Sequence, residues 1–139
     1  AGYAYLDGRF TKTNNTTSAP QAAFPASAAK IYLQGNRPSL TPKHAAFVWA
    51  SRKLGAGWRV GGGLHYSADR FASPSNAVIL PSYVVADLGI YYSIKQFDVA
   101  INLKNLSNKN YIVSGHGGND NLMNPGAPRE VQMGLTYRF

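Results

Sequence analysis

The sequence predicts an all-β protein, an antiparallel up-and-down meander of about six long strands that is part of a larger transmembrane β-barrel. Three observations carry this prediction. Apolar residues recur at every second position in the clearest segments, whereas a helix would need them at spacings of three and four. The connections between the segments alternate between short and long. The segments run to about 10–13 residues, which is near the length that crosses a bilayer at a tilt.

The composition excludes several classes of protein. The chain has 139 residues and no cysteine, which excludes a disulfide scaffold and cysteine-ligated zinc or iron–sulfur sites. Charged residues are 14% of the chain, against roughly 25% in a typical soluble domain. Hydrophobic residues are 45%, which excludes a disordered polyelectrolyte. The net charge of +8 is spread along the chain rather than clustered, so no nucleic-acid partner is predicted.

The last strand has the clearest pattern. Every odd position from Val131 to Phe139 is apolar or aromatic, and every even position is polar or glycine. This period of two predicts a strand over residues 128–139 with one apolar face. The other strands are predicted at residues 2–11, 43–54, 57–70, 82–94 and 96–106.

The alternation also divides the other strands into two faces, with varying strength. In the second strand it is weak, with Ala45, Phe47 and Trp49 interpreted as the apolar positions, and in the first it rests on Tyr3 and Tyr5. Polar positions along the strands are predicted to face a water-filled lumen. These positions are Arg59, His65, Asp69, Asp87, Asp98, Asn102 and Lys104.

Two kinds of connection separate the strands. Short turns lie around residues 55–57 and 95–96, whereas 12–42, 71–81 and 107–127 are long and have the compositions of turns and loops. Because outer-membrane barrels have short periplasmic turns and long external loops, the last strand is predicted to descend to the periplasm. Aromatic residues at strand ends are predicted to form interfacial girdles: Trp58, Tyr91, Tyr92, Phe97, Tyr137 and Phe139 near the short turns, and Tyr66, Phe71 and Tyr83 near the long connections.

Six strands are too few to close a barrel. The smallest natural single-chain barrels have about 8 strands, and each unsatisfied backbone group in lipid costs several kcal/mol. Alternation alone also fits a sheet whose apolar face packs inward. Two interpretations therefore stay open: part of a larger membrane barrel, or a small soluble β-barrel or sandwich that binds a ligand in its mouth.

Five motifs, in order along the chain, resemble those of one family. They are Gly35-Asn36-Arg37 through Pro42-Lys43-His44, Leu80-Pro81-Ser82-Tyr83 through Asp87, Asn105-Leu106-Ser107-Asn108-Lys109-Asn110-Tyr111, Gly126-Ala127-Pro128-Arg129, and Thr136-Tyr137-Arg138-Phe139. Ser107 and Asn108 depart from the Phe and Asp that are common in that family. Together the motifs make the chain similar to the C-terminal barrel segment of a TonB-dependent outer-membrane siderophore receptor.

The resemblance implies a function and a set of partners. Such receptors have a barrel of about 22 strands closed by an N-terminal plug, so residues 1–139 are interpreted as the last six strands, with the plug and the TonB-binding box outside the chain. The implied function is energy-coupled uptake of ferric siderophores across the outer membrane of a Gram-negative cell. The ferric siderophore is then the transported ligand, and no cofactor is implied. The implied partners are the rest of the barrel, the plug, TonB, outer-membrane lipid and the barrel-assembly machinery. The residues that resemble the signal read by that machinery are Val131, Met133, Leu135, Tyr137 and Phe139.

The long connections contain the candidate ligand contacts, because binding residues concentrate on loops. The candidates are His116, Asn119, Asp120, Asn121 and Arg70. Basic residues that face the lumen or lie in loops could also attract an anionic ferric chelate: Arg59, Arg70, Lys104 and Arg129. An ordinary external loop and ordinary solvation of the lumen stay open as the alternatives.

Two kinds of chemical site are not predicted. The run from His116 to Asp120 is similar to an oxyanion-hole loop, but no Gly-x-Ser-x-Gly elbow accompanies it, so no catalytic residue and no enzyme are expected. The histidines His44, His65 and His116 lie on separate elements without paired spacing, so no metal site is expected.

Overall fold

The computed structural model describes residues 1–12, 16–18, 30–116 and 119–139, with the backbone alone at 16–18, 30–32, 116 and 119–121. All regular elements in these ranges are β-strands, which confirms the predicted class. The strands are β1 (Gly2–Tyr5), β2 (Thr16–Ser18), β3 (Lys30–Tyr32), β4 (His44–Gly55), β5 (Trp58–Ser67), β6 (Arg70–Phe71), β7 (Ile79–Leu80), β8 (Tyr83–Ile94), β9 (Phe97–Lys104), β10 (Ile112–His116), β11 (Asn119–Pro125) and β12 (Glu130–Tyr137). Within the described ranges no helix is long and apolar enough to cross a membrane.

Six of these strands form one antiparallel sheet in the order β1-β4-β5-β8-β9-β12. Every long strand pairs with the long strands before and after it in the chain, which is the predicted up-and-down meander. In the part of the chain that the structure describes, β1 and β12 are the two edges of this sheet.

The first strand is shorter than predicted. It ends at Tyr5, and beyond it the backbone makes isolated hydrogen bonds instead of a ladder: the Leu6 amide donates to the Lys43 carbonyl at 2.9 Å, and the Phe10 amide to the Asn36 carbonyl at 2.9 Å. The segment therefore follows its neighbour without the regular pairing of a strand.

The long connections are more ordered than the predicted loops. Each contains a two-stranded hairpin: β2 with β3, β6 with β7, and β10 with β11. Pairing of this kind satisfies backbone groups that a loop must leave to water, and turn-rich composition alone does not reveal it. The short turns, in contrast, are as predicted, and a side chain at Gly57 would overlap the backbone of Ser93.

The two faces of the sheet differ in polarity. Directly paired residues of antiparallel strands point to the same face. One face, called here the apolar face, carries the even-numbered residues of β4, β5 and β8 and the odd-numbered residues of β1, β9 and β12. The opposite face, called here the polar face, carries the remaining residues of these strands. Met133 and Leu135, on the apolar face, are 75% and 70% exposed, so the sheet has no core on this side in the described part of the chain.

The prediction for the second strand is wrong about its faces. Phe47 pairs with His65 and Trp49 with Gly63, which places both aromatic side chains on the polar face. The apolar positions of β4 are Ala46, Val48 and Ala50 instead. Residues of both faces in this strand are largely apolar, so the sequence pattern could not fix the register.

Most of the predicted aromatic girdle is present at the short-turn end. On the apolar face the ring of Trp58 lies 4.5 Å from that of Tyr92, and Phe97 lies 5.0 Å from Tyr137. Tyr91 is an exception, since its pairing with Arg59 places it on the polar face. At the long-connection end the apolar face carries Tyr3, Tyr5 and Tyr66, whereas Tyr83, which was predicted there, pairs with Ser67 on the polar face.

Most of the best-buried hydrophobic residues lie at the long-connection end, beyond the six-stranded sheet or, like Val85, near the end of one of its strands. Leu80 and Ala72, in and beside the β6–β7 hairpin, are fully buried, and Ala68 and Val85 are nearly so. The compact core of the described chain is therefore a cap on one end of the sheet, where the long connections meet.

Candidate functional site on the polar face

The polar face has the charged and amide side chains that the sequence predicted for a wet lumen. Arg59, His65, Asp87, Asp98, Asn102 and Lys104 all lie on it. Asp69 follows the end of β5 and lies outside the six-stranded sheet. Alternation placed these residues correctly because their strands have only one apolar face.

Near the long-connection end, the polar face has a recess of about 300 Å³. It is lined by His65, Tyr83, Val85, Asp87, Lys104, Asn105, Tyr111, Val113, Ala127 and Pro128. Asp87 and Lys104 give it one group of each charge, and His65 adds an imidazole that can form hydrogen bonds. The recess therefore combines aromatic walls with hydrogen-bonding and charged groups, which is the chemistry of a site for a polar ligand.

Asn105 holds the floor of this recess. Its side chain is 2% exposed and donates from Nδ2 to the carbonyls of Lys109 and Ala127, both at 2.9 Å, while Oδ1 accepts from the Lys109 amide at 2.8 Å. Its own amide donates to Asp87 Oδ1 at 2.9 Å, and its φ of +50° is in the left-handed region that asparagine tolerates. One residue thus ties the end of β9 to β8 and to the entry of β12.

A pair of tyrosines forms one wall. The rings of Tyr83 and Tyr111 lie 4.5 Å apart, and Gly126 approaches so closely that a side chain there would overlap the ring of Tyr111. Burial, followed by repulsion from Tyr83 and Asp87, raises the pKa of Tyr111 above its usual value near 10. The phenol of Tyr111 is therefore a protonated hydrogen-bond donor at neutral pH.

Arg70, one of the predicted ligand contacts, is a buried cation. It is 4% exposed, and its guanidinium donates to the carbonyls of Ile112 and Val113 at 2.8 and 2.5 Å and to Ser67 Oγ at 3.2 Å. It also lies over the ring of Tyr83 at 5.3 Å. The side chain joins the β6 strand to the β10–β11 hairpin, and contact between Arg70 and a ligand stays a prediction.

Asparagines also join the first two long connections. Asn36 donates to the Pro74 carbonyl at 2.8 Å, while Asn76 accepts from the Arg37 amide at 2.7 Å and donates to the Arg37 carbonyl at 2.8 Å. The family-like motifs around Asn36 and Asn105 therefore hold the long connections together instead of presenting free binding groups.

Sequence reasoning missed an aromatic patch on the polar face, formed by Phe47 and Trp49 of β4. Phe47 lies 6.0 Å from the ring of His65, and Trp49 lies across Gly61 and Gly63. A Cβ at Gly63 would be 2.5 Å from Trp49 Cε3, so the indole needs the glycine. The triplet Gly61-Gly62-Gly63 inside a strand was the signal, because strand glycines often mark a close approach by another group.

A second feature that the sequence did not reveal connects three strands. The guanidinium of Arg59 lies 4.1 Å from the ring centre of Tyr91, and the Tyr91 hydroxyl donates to Asn102 Oδ1 at 3.0 Å. This chain of contacts fixes the direction of Arg59 on the polar face near the short turns.

The other predicted ligand contacts lie at the far end of the β10–β11 hairpin. The backbone of His116 pairs with that of Asn119, and Asp120 and Asn121 continue β11. The side chains of these four residues, and residues 117–118 altogether, lie outside the described residues. Among the residues that the structure does describe, no group of three or more His, Asp or Glu side chains is arranged to hold a metal ion.

The proposed assembly signal lies on the edge strand. Val131, Met133, Leu135 and Tyr137 are on the apolar face, opposite Leu103, Ile101, Val99 and Phe97. Phe139 follows the strand and packs its ring edge-on at 5.0 Å from Tyr137. These positions are also what a lipid-facing strand requires.

Comparison with known proteins gives a consistent result. A family model described as "TonB dependent receptor-like, beta-barrel" matches residues 1–106. The chain is similar to the ferrioxamine receptor of Yersinia enterocolitica, at 33% identity over 76% of this chain and 16% of that protein. It is also similar to a probable TonB-dependent siderophore receptor, PiuA, of Acinetobacter baumannii, at 32% identity over 84% of this chain and 15% of that protein.

A solved structure agrees with the sequence matches. The crystal structure of the siderophore receptor PiuA from Acinetobacter baumannii superposes with a TM-score of 0.80 at 27% identity, covering 97% of this chain and 18% of that one. The chain thus spans about one sixth of the length of the proteins it matches.

Proposed function

The chain belongs to the TonB-dependent receptor β-barrel family, and from this premise we propose that it forms part of an outer-membrane receptor that takes up ferric siderophores. The relatives are receptors and transporters, not enzymes. The observation that carries the proposal is the division of the sheet into two faces. An exposed apolar face between two aromatic belts fits lipid, and a polar face with a ligand-sized recess fits a wet lumen.

The same observation argues against a small soluble binding module. Such a module would turn its apolar face inward, yet Leu64, Val84 and Leu135 are exposed and no described segment covers them. A bilayer covers this face without any further protein. We therefore assign the chain to the outer membrane, with the remaining barrel strands at the edges β1 and β12.

The ligand is proposed to meet the long-connection end first. His116, Asn119, Asp120 and Asn121 belong to the far end of the β10–β11 hairpin, and we propose that their side chains contact a ferric siderophore. Arg70 stabilises the base of that hairpin by donating hydrogen bonds to the carbonyls of Ile112 and Val113. The recess beside Asp87, on the polar face, is the next polar surface that a ligand would then meet as it enters the lumen.

Transport needs parts of the receptor beyond this chain. We propose that a plug fills the lumen against the polar face and that TonB supplies energy through it. We also propose that the barrel-assembly machinery reads the odd-numbered residues 131–139. A Phe139→Ala variant should then reach the outer membrane more slowly than a Phe97→Ala variant, which removes an aromatic ring from the same belt.

The experiment is an uptake assay on the full-length protein. The gene is expressed in a Gram-negative host without siderophore receptors of its own, and uptake of radioactive iron is measured from hydroxamate and catecholate chelates. Energised uptake of at least one chelate is expected, with loss in a TonB-deficient host. No TonB-dependent uptake of any ferric siderophore, from a protein shown to be in the outer membrane, would refute the proposal.

The hairpin contacts have their own test. Replacing His116 and Asp120 together by alanine should weaken binding of the transported chelate while leaving the amount of folded receptor unchanged. The control is Asn110→Ala, an exposed residue of the same long connection that lies before the hairpin. Equal affinities in the double variant and the control would exclude these residues as contacts.

A further inference from the structure

One cation lies on the side of the sheet that faces lipid. Arg52 is on the apolar face, where it pairs with Val60, and Val60 pairs with Ile90 on the next strand. The side chain is exposed and, among the residues that the structure describes, makes no ion pair or hydrogen bond. A charge in the apolar band of a barrel is costly unless it reaches water or an anion, so Arg52 requires an explanation.

A groove lies directly beside this residue. It has a volume of about 260 Å³ and is lined by Ala50, Ser51, Arg52, Val60, Gly61, Gly62 and Leu88. Gly62 pairs with Ala50 on one side and Leu88 on the other, and its missing side chain opens the groove between them. The walls are aliphatic, which suits a hydrocarbon chain lying on the sheet.

The depth of Arg52 allows its charge to reach the membrane interface. The row of Trp58 and Tyr92 lies two residues nearer the short turns, which is about 7 Å along a strand. An arginine side chain spans such a distance and commonly extends along an apolar surface to place its charge in the interface. The guanidinium is thus able to reach the level of the aromatic belt, where lipid phosphates begin.

The net positive charge at the short-turn end of the sheet favours binding of an anion. Residues 51–60, 91–98 and 136–138 form the short-turn end, and their charged side chains are five cations and one carboxylate: Arg52, Lys53, Arg59, Lys95, Arg138 and Asp98. The carboxylate is already paired with Arg138 at 2.9 Å. Four cations are left without a carboxylate at this end. Lys53 and Arg59 lie on the polar face, so the cations that attract an anionic headgroup on the lipid side are Arg52 and Lys95, which lies in a short turn.

We propose that the apolar face holds one phospholipid with an anionic headgroup, its phosphate on Arg52 and one acyl chain in the groove over Gly62. Arginine suits this role because its planar fork binds two phosphate oxygens at once. The inference rests on the proposed function, since it requires the short-turn end to lie in a membrane leaflet. It adds a lipid site on the outside of the barrel, away from the transported ligand.

The test uses the full-length receptor purified in mild detergent. Native mass spectrometry measures retention of added phosphatidylglycerol or phosphatidylethanolamine by wild type, R52Q, R52K, G62L and the control K53Q. K53Q makes the same charge change one residue along, on the polar face. G62L fills the groove without forcing the backbone, because a Cβ at Gly62 would lie no closer than 3.6 Å to any neighbour.

Wild type and K53Q should retain one phosphatidylglycerol in preference to phosphatidylethanolamine. R52Q and G62L should bind it roughly tenfold more weakly, and R52K should fall between. Equal retention by R52Q and wild type, or equal loss in K53Q and R52Q, would overturn the inference. Heat-modifiable gel migration identifies any variant that fails to fold; if R52Q fails, the comparison of G62L with wild type decides.

The outcome is independent of transport. If wild type retains the lipid in this pattern but shows no ferric-siderophore uptake, the proposed ligand is wrong and the lipid site stands. If uptake is present and retention does not depend on Arg52, the lipid site is wrong and the proposed function stands.

Discussion

Replacing Asn105 by alanine should loosen the long-connection end of the sheet. The substitution removes three side-chain hydrogen bonds, two to carbonyls and one from an amide, around a side chain that is 2% exposed. At about 1 kcal/mol each, these bonds account for about 3 kcal/mol. The φ of +50° adds about 1 kcal/mol, because alanine resists the left-handed region. We expect a local destabilisation of about 4 kcal/mol.

Hydrogen–deuterium exchange of the full-length receptor measures this effect locally. Where exchange is limited by opening of the structure, about 4 kcal/mol corresponds to a roughly thousandfold faster exchange at the amides of residues 105–111. Asn105→Gly separates the two contributions, because glycine tolerates the backbone conformation and loses only the hydrogen bonds. It should therefore exchange about fivefold more slowly than the alanine variant.

Asn110→Ala is the matched control for this comparison. Asn110 belongs to the same connection and is exposed. Its replacement should change exchange by less than about threefold, as expected for surface substitutions. The reasoning is refuted if Asn105→Ala and Asn110→Ala accelerate exchange equally, because the hydrogen bonds of Asn105 would then not hold this end closed.

Three further changes test the same end of the molecule. Gly126→Ala should displace the ring of Tyr111 and separate it from Tyr83, which near-ultraviolet circular dichroism would detect as a loss of aromatic signal. Arg70→Met should cost about 3 kcal/mol, because it removes the hydrogen bonds of a buried charged group to two part-buried carbonyls, and limited proteolysis should then cleave the β10–β11 hairpin faster. Raising the pH should loosen the recess, because the pKa of Tyr111 is raised by burial and by Tyr83 and Asp87. The stability from this phenol is complete below the unfolded value near 10 and is lost as the pH rises through the higher folded value.

Conservative variants provide the controls. Removing the Tyr111 ring as well, in Gly126→Ala combined with Tyr111→Ala, should remove the overlap with the new methyl group. An unchanged aromatic signal in Gly126→Ala alone would contradict the close approach of Gly126 to the Tyr111 ring. Arg70→Lys keeps a charged donor group but not the planar guanidinium, and it should be cleaved at an intermediate rate. Cleavage of Arg70→Met no faster than wild type would contradict the role of Arg70 in holding the β10–β11 hairpin. Tyr111→Phe should remove the loosening at high pH, and persistence of the same loosening would assign it to another group.

Prediction from sequence succeeded where the pattern is local. A period of two, interrupted by short and long connections, was enough for the sheet order and for the polar face carrying His65, Asp87 and Lys104. It also gave the boundaries of the long strands within about three residues, although the first strand ends at Tyr5 instead of residue 11. It failed for Trp49, because β4 is apolar on both sides and only its pairing with β5 decides which side faces the lumen. It also could not show that Arg70 is buried, since the two carbonyls that its guanidinium binds lie more than 40 residues away.

Local chemistry along the chain therefore determined the class of the protein: strands with one face for lipid and one for water, short turns at one end and long connections at the other. The tertiary structure decided which side chains meet. The register of strand pairing determines these contacts, because a shift of one residue would exchange the two faces of a strand. The buried Asn105, the recess beside Asp87 and the groove beside Arg52 depend on pairings between segments that are distant in the chain. No single segment contains those pairings, which is why they required the folded chain.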